Sequence, residues 1–227
     1  MAEKYLAKLK KTELSIRQLK KNVKELVEKN DFEEVYRLIE SNKRALSALL
    51  ALSYDKTQEL SWRAIHYAGK TIGRMAVNDY NEARVQVQRL LWNASDESGT
   101  IPWTVVEILG EAIRENPQPF DDIVSIIVGF AHSETEDNIL LPGVLYAFGR
   151  IGEVHNEYIA NYVYELIKEC LTHKDAEVCA NAIIAAKRLN VDINDYKNKL
   201  QIREEPVTVY LDDKLIKTTL SELATKL

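Results

Sequence analysis

Cysteine is nearly absent from this chain: Cys170 and Cys179 are the two in 227 residues. They lie nine apart in helical apolar patterns, which reads as buried thiols in a reducing cytoplasm and not as a disulfide framework. Histidine is thin as well. His66, His132, His155 and His173 are scattered and none is followed by glutamate, so convergent metal ligands are lacking and no metal or other cofactor is expected. Positive charge is in deficit, with 30 Lys and Arg against 35 Asp and Glu and a net charge of −5, which disfavours nucleic acid as a partner. No apolar run approaches the roughly 18–20 residues that span a bilayer, and the opening Met1-Ala2-Glu3-Lys4-Tyr5 has no signal-peptide core, so no membrane contact is expected. P-loop, nucleophile-elbow and dinucleotide fingerprints are all missing.

Glycine is also rare, with eight copies, and its placement is informative. Gly73-Arg74 follows Thr71-Ile72, Gly110-Glu111 follows Ile108-Leu109, Gly149-Arg150 follows Ala147-Phe148, and Lys187-Arg188 follows Ala185-Ala186. The gaps are 37, 39 and 38 residues. Repetition at that interval marks a stack of helix pairs, none able to bury its apolar face without its neighbours. The expected fold is all-α, a solenoid of four helix pairs over 43–192. First helices start near Lys43, Asn81, Pro119 and Glu157, and second helices cover about 57–77, 102–115, 139–153 and 175–189. Residues 1–42 supply capping helices, the first of them amphipathic through Leu9, Ile16, Leu19, Val23 and Leu26, either packed on the first repeat or serving as a dimerising arm. After a linker at Arg203–Pro206, Val207, Val209 and Leu211 alternate with Thr208 and Tyr210, and Asp212-Asp213 precedes Leu215-Ile216. That pattern predicts a β-hairpin, with Thr219 and Glu222 starting a last helix in the segment 193–227. The hairpin must pack on the solenoid or pair with another chain, so a homodimer through either end is one expectation.

A glycine inside a helix costs roughly 1 kcal/mol relative to alanine, a cost that close helix approach offsets. The residue after each glycine forms a column, and a ladder of Arg74, Glu111, Arg150 and Arg188 is expected on neighbouring second helices. Trp62, Arg63, His66, Tyr67, Lys70 and Arg74 crowd a single helix at spacings that place Arg63, His66, Tyr67, Lys70 and Arg74 on one broad face.

On period, paired helices and the small-residue column, the chain resembles HEAT-repeat proteins. Residues 86–115 are similar to an uncharacterised family of small HEAT-like proteins, on Gln86, Arg89, Trp92, Asp96-Glu97-Ser98-Gly99, Trp103, Glu107 and Gly110-Glu111. The resemblance implies an armadillo-like helical fold and no established activity. It also implies that second helices line a concave face. There Trp62, Arg63, His66 and Arg74 would meet Trp103, Glu107 and Glu111 across a groove with Asp96–Gly99 at its mouth, or the same charges would form an internal ion-pair network.

Two functions stay open. One is a non-enzymatic scaffold that binds a protein or peptide segment on the concave face, using aromatic and arginine anchors. The other is an enzyme or ligand-binding accessory with its site at the Trp92–Trp103 loop, where Asp96 and Glu97 lie between tryptophans. HEAT-like alkylpurine DNA glycosylases also pair tryptophans with an aspartate, but the acidic balance lacks their basic DNA track. No catalytic residue is assigned.

Overall fold

The structure, a computed structural model, describes residues 15–94, 104–132 and 138–226. Ser15 opens helix α1 (Ile16–Glu28) with a complete capping box: its hydroxyl accepts from the Gln18 backbone N–H, and the Gln18 side chain accepts from Ser15. Leu19, Val23 and Val27 recur every four residues and are buried on one stripe. Asn30, in the left-handed region, turns the chain, and Asp31 caps α2 (Phe32–Ser41).

Four helix pairs follow. They are α3 (Arg44–Leu52) with α4 (Glu59–Asn78), α5 (Tyr80–Ala94) with α6 (Val105–Glu115), α7 (Asp121–Ala131) with α8 (Leu141–Gly152), and α9 (Asn161–Cys170) with α10 (Ala176–Arg188). Short 3-10 turns at Gln118–Phe120 and Asn156–Tyr158 lead into α7 and α9, the former carrying Pro119 where a missing N–H is tolerated. The expected all-α solenoid is therefore the fold.

Each second helix packs most extensively on the second helices before and after it, making a continuous inner layer with the first helices outside. Small residues set that spacing. A Cβ on Gly110 would lie 2.5 Å from the Ala147 Cβ, and one on Gly69 would lie 2.3 Å from the Glu111 Cβ. The outer layer is tied instead by surface ion pairs, Lys43 to Glu82 at 2.5 Å and Arg84 to both oxygens of Asp122 at 2.7 Å. Such pairs contribute about 0–1 kcal/mol each and chiefly fix register. Cys170 and Cys179 are free and buried, and burial pushes both thiols up to about 11. No helix among the described residues is long and apolar enough to cross a membrane.

Beyond α10, Asn190 takes a positive φ and the chain runs through α11 (Lys197–Leu200) to antiparallel strands β1 (Pro206–Leu211) and β2 (Lys214–Thr219). Asp212 and Asp213 both adopt positive φ in the two-residue turn, a conformation Asp tolerates better than most residues. Helix α12 (Leu220–Lys226) then packs with β1 against α10. The apolar stripe of α1 is likewise spent within the chain, on α3, α2 and α4. Leu9, the first position of the stripe considered for dimerisation, lies outside the described residues, and Ile16 is exposed.

Candidate binding cleft

Helix α4 divides the predicted binding face in two. Arg63, Tyr67, Lys70 and Arg74 turn to the N-terminal helices. Arg63 donates to the Val27 carbonyl at 2.9 Å and the Glu28 carbonyl at 3.3 Å, at the C-terminal end of α1, where carbonyls have spare accepting capacity. Tyr67 donates to the Asn30 side chain at 2.8 Å, and Lys70 lies 4.3 Å over the Phe32 ring. Arg74 pairs with Glu33 at 2.8 Å and stacks on Phe32 and Tyr36. The other stripe, with Trp62 and His66, faces the inner layer.

At its centre is Glu111, 2% exposed. Its Oε1 accepts from the Tyr146 hydroxyl at 2.7 Å and Arg150 Nε at 2.6 Å; its Oε2 accepts from His66 Nδ1 at 2.9 Å and Arg150 Nη2 at 3.1 Å. An ionised carboxylate only accepts, so the imidazole proton sits on Nδ1. Burial alone would raise the Glu111 pKa. The bond from His66 and the charge of Arg150 outweigh it and hold the group well below the usual carboxylate range. Arg150 also reaches Glu153 at 3.0 Å, while burial and Glu111 together drive the Tyr146 phenol far up.

The ladder read from the repeats therefore survives in one rung, Glu111 to Arg150, with His66 in place of Arg74. The reason is register. Gly69 packs on Glu111 and Gly73 on Glu115, so Arg74 lies a turn beyond the carboxylate it was paired with. Arg188 does not continue the column through an ion pair either. Its guanidinium lies 5.7 Å over the Tyr146 ring, and its buried Nη1 has no hydrogen-bond partner among the described residues.

Glu107, 1% exposed, also lies inside the protein instead of lining an open groove. Its Oε1 accepts from Lys56 at 3.2 Å, while Oε2 has no partner and fills the space left by Gly143. Burial outweighs the nearby Lys56 charge and raises its pKa. Lys56 is shared with Glu177 at 3.7 Å.

The hairpin, whose packing partner periodicity could not identify, closes over this layer. Tyr210 stacks on Trp62 with centroids 5.0 Å apart and planes 7° from parallel, and Trp62 also meets Tyr146 at 5.2 Å. The Trp62 indole donates to the Lys56 carbonyl at 2.9 Å, and the Leu215 N–H donates to Glu59 at 3.1 Å. Trp62 is left 8% exposed, so it serves as the floor beneath the hairpin and not as an open anchor. Between the hairpin turn and α4, α6, α8 and α10 a cleft of about 610 Å³ remains. His66, Arg114, Tyr146, Arg150, Lys187 and Arg188 form its wall on the helices, with Glu153 beside them and Asp212 and Asp213 opposite.

Of the second candidate site, Trp92 lies in the last turn of α5 with 76% exposure. Asp96, Glu97, the rest of the Asp96–Gly99 loop and Trp103 lie outside the described residues. The helices thus unite His66, Glu111 and Arg150, and send Arg63 and Arg74 elsewhere. Sequence reasoning missed Tyr146 and Arg114, and read Asp212-Asp213 as part of the hairpin without placing them at the cleft. Tyr146 had a usable signal, since it stands four residues before Arg150 on the same helix face.

No protein-family model matches this chain. A curated relative, an uncharacterised protein of Archaeoglobus fulgidus, is 27% identical over 178 residues, covering 78% of this chain and 92% of its own. Among solved structures, an engineered protein aligns at TM-score 0.48 with 15% identity, over 95% of this chain and 90% of that one. A computationally designed armadillo repeat protein for modular peptide recognition aligns at TM-score 0.49 with 17% identity, over 92% and 88% of the two chains.

Proposed function

We propose that this protein is a non-enzymatic binding scaffold of the small HEAT-like kind, holding a segment of a partner protein in the cleft between its inner helices and its hairpin. The cleft itself carries this reading. Its 610 Å³ lies within the range of about 300–1,000 Å³ usual for ligand sites, and it places both signs of charge beside aromatic surface. The neighbouring stretch of the inner face already holds an extended segment, the strand bearing Tyr210, by ring stacking on Trp62. A partner segment of mixed polarity would continue along the same face, its cations toward Asp212, Asp213 and Glu153.

A displayed peptide library panned against the intact protein tests this. Peptides sharing a consensus should be enriched, and D212N/D213N should weaken them about tenfold, the worth of one charge-assisted hydrogen bond. Asn tolerates the positive φ at both positions, so the thermal melt should hold. A library without a consensus, or binders indifferent to the substitutions, would remove the cleft from consideration.

A further inference from the structure

We infer that Arg188 is a subsite for a carboxylate of the bound segment, a deepening that rests on the scaffold reading above. Arg188 lies at the end of α10, largely enclosed, and lines the cleft. A guanidinium is a donor-only group with its N–H bonds in a fixed fork that matches an oxyanion. Every other arginine on this wall has a carboxylate: Arg150 has Glu111 and Glu153, and Arg114 has Glu153 at 3.8 Å. Among the described residues Arg188 has none, and its Nη1 is buried without a hydrogen-bond partner; Arg114 Nε is open as well, but its guanidinium keeps Glu153 as counter-charge. Buried polar groups are normally satisfied, and one left open at the wall of a cleft marks where a ligand atom belongs.

The surroundings prepare the group for that role. The Tyr146 ring holds the guanidinium by its face, and Tyr146 is itself fixed by its hydroxyl bond to Glu111. Glu111 is therefore a positioning residue, acting on Arg188 through Tyr146. Charge selects the ligand class. Histidine apart, four cationic and three acidic side chains line the cleft, and Glu111 beneath Arg150 evens the count. A monoanion suits that balance better than a doubly charged phosphate does. The carboxylate can come from a chain terminus or from an acidic side chain.

Nitrogen-detected NMR of the Arg188 Nε–H, assigned with R188K, distinguishes these sources. The probes are N-acetyl-trialanine with a free carboxylate, its amide, N-acetyl-Ala-Glu-Ala amide, and inorganic phosphate. We expect one or both carboxylate peptides to shift the signal saturably, and the amide to leave it unmoved. R188L should weaken binding at least about tenfold and raise the melting temperature, because it removes a buried charge that nothing pairs. Tyr146→Phe should weaken carboxylate binding without shifting which peptide is preferred. No carboxylate response, equal binding by R188L, or phosphate binding more tightly than both peptides would each overturn the assignment. Panned peptides that bind R188L unchanged would defeat this subsite alone, whereas carboxylate binding without any panned consensus would defeat the scaffold reading alone.

Discussion

Where α6 begins, Glu107 has one cation at 3.2 Å and an oxygen with no partner; a turn later Glu111 accepts four hydrogen bonds from three residues. Both carboxylates are buried, and both belong to the inner layer. The difference comes from the facing helix. Opposite Glu107, α8 offers Gly143, which supplies room and no donor; opposite Glu111 it offers Tyr146 and Arg150. Burial disfavours the charged form of both groups, and the donors across the interface decide which pKa falls and which rises. One end of the face is thus locked by its own charges, while the other carries a group the fold barely tolerates.

The largest test removes the locked end. Glu111→Gln takes from Arg150 its buried counter-charge, leaving only the more exposed Glu153, and should cost about 3 kcal/mol in urea unfolding at pH 7. Because the folded-state pKa lies below the ordinary 4.5, this contribution is complete above about pH 4.5 and fades as pH falls through the folded value. The gap between wild type and E111Q should therefore narrow in acid. A loss below about 1 kcal/mol at neutral pH would mean the network is ornamental.

A smaller effect is expected from altering the spacing that both carboxylates share. Gly110→Ala puts a methyl 2.5 Å from the Ala147 Cβ and must force α6 from α8. Overpacking of this kind costs about 1–3 kcal/mol. The displaced α6 should also loosen the Glu111 network, so the amide protons of α8 should exchange faster than in wild type. Unchanged exchange would separate helix spacing from carboxylate locking.

The mildest substitution should act in the opposite direction. Glu107 has a raised pKa, so its favourable contribution is whole below the ordinary 4.5 and disappears as pH rises through the folded value. Glu107→Gln should match wild type near pH 4.5 and gain on it as pH rises, by about 1 kcal/mol at pH 8. A melting-temperature difference that stays flat or reverses with pH would erase the contrast between the two positions.

The repeat was legible because every inner helix meets the same kind of neighbour, which imposes a common interval on glycine and apolar positions. Register between helices was less so. An interval of 37 residues aligns Gly73 with Gly110 in sequence, yet α4 sets Gly69 against Glu111 and Gly73 against Glu115. That slide replaced Arg74 with His66. The hairpin itself was legible from its alternation and its Asp-Asp turn, but not its destination. Contacts such as Leu215 to Glu59 join positions 156 residues apart, and no local pattern encodes them. The cleft was consequently invisible, since one of its walls is that hairpin.

That same contact alters how the array should come apart. In an open solenoid each unit touches only its neighbours, so terminal units can fray while the rest persist. Here the strands grip α4 and α10 together, linking the first inner helix to the last. Loss of either end then frees the other, and unfolding becomes one concerted event instead of a sequential unzipping. During synthesis the order is fixed: Trp62 emerges long before Tyr210, and its apolar ring waits uncovered until the strand that shields it has been made.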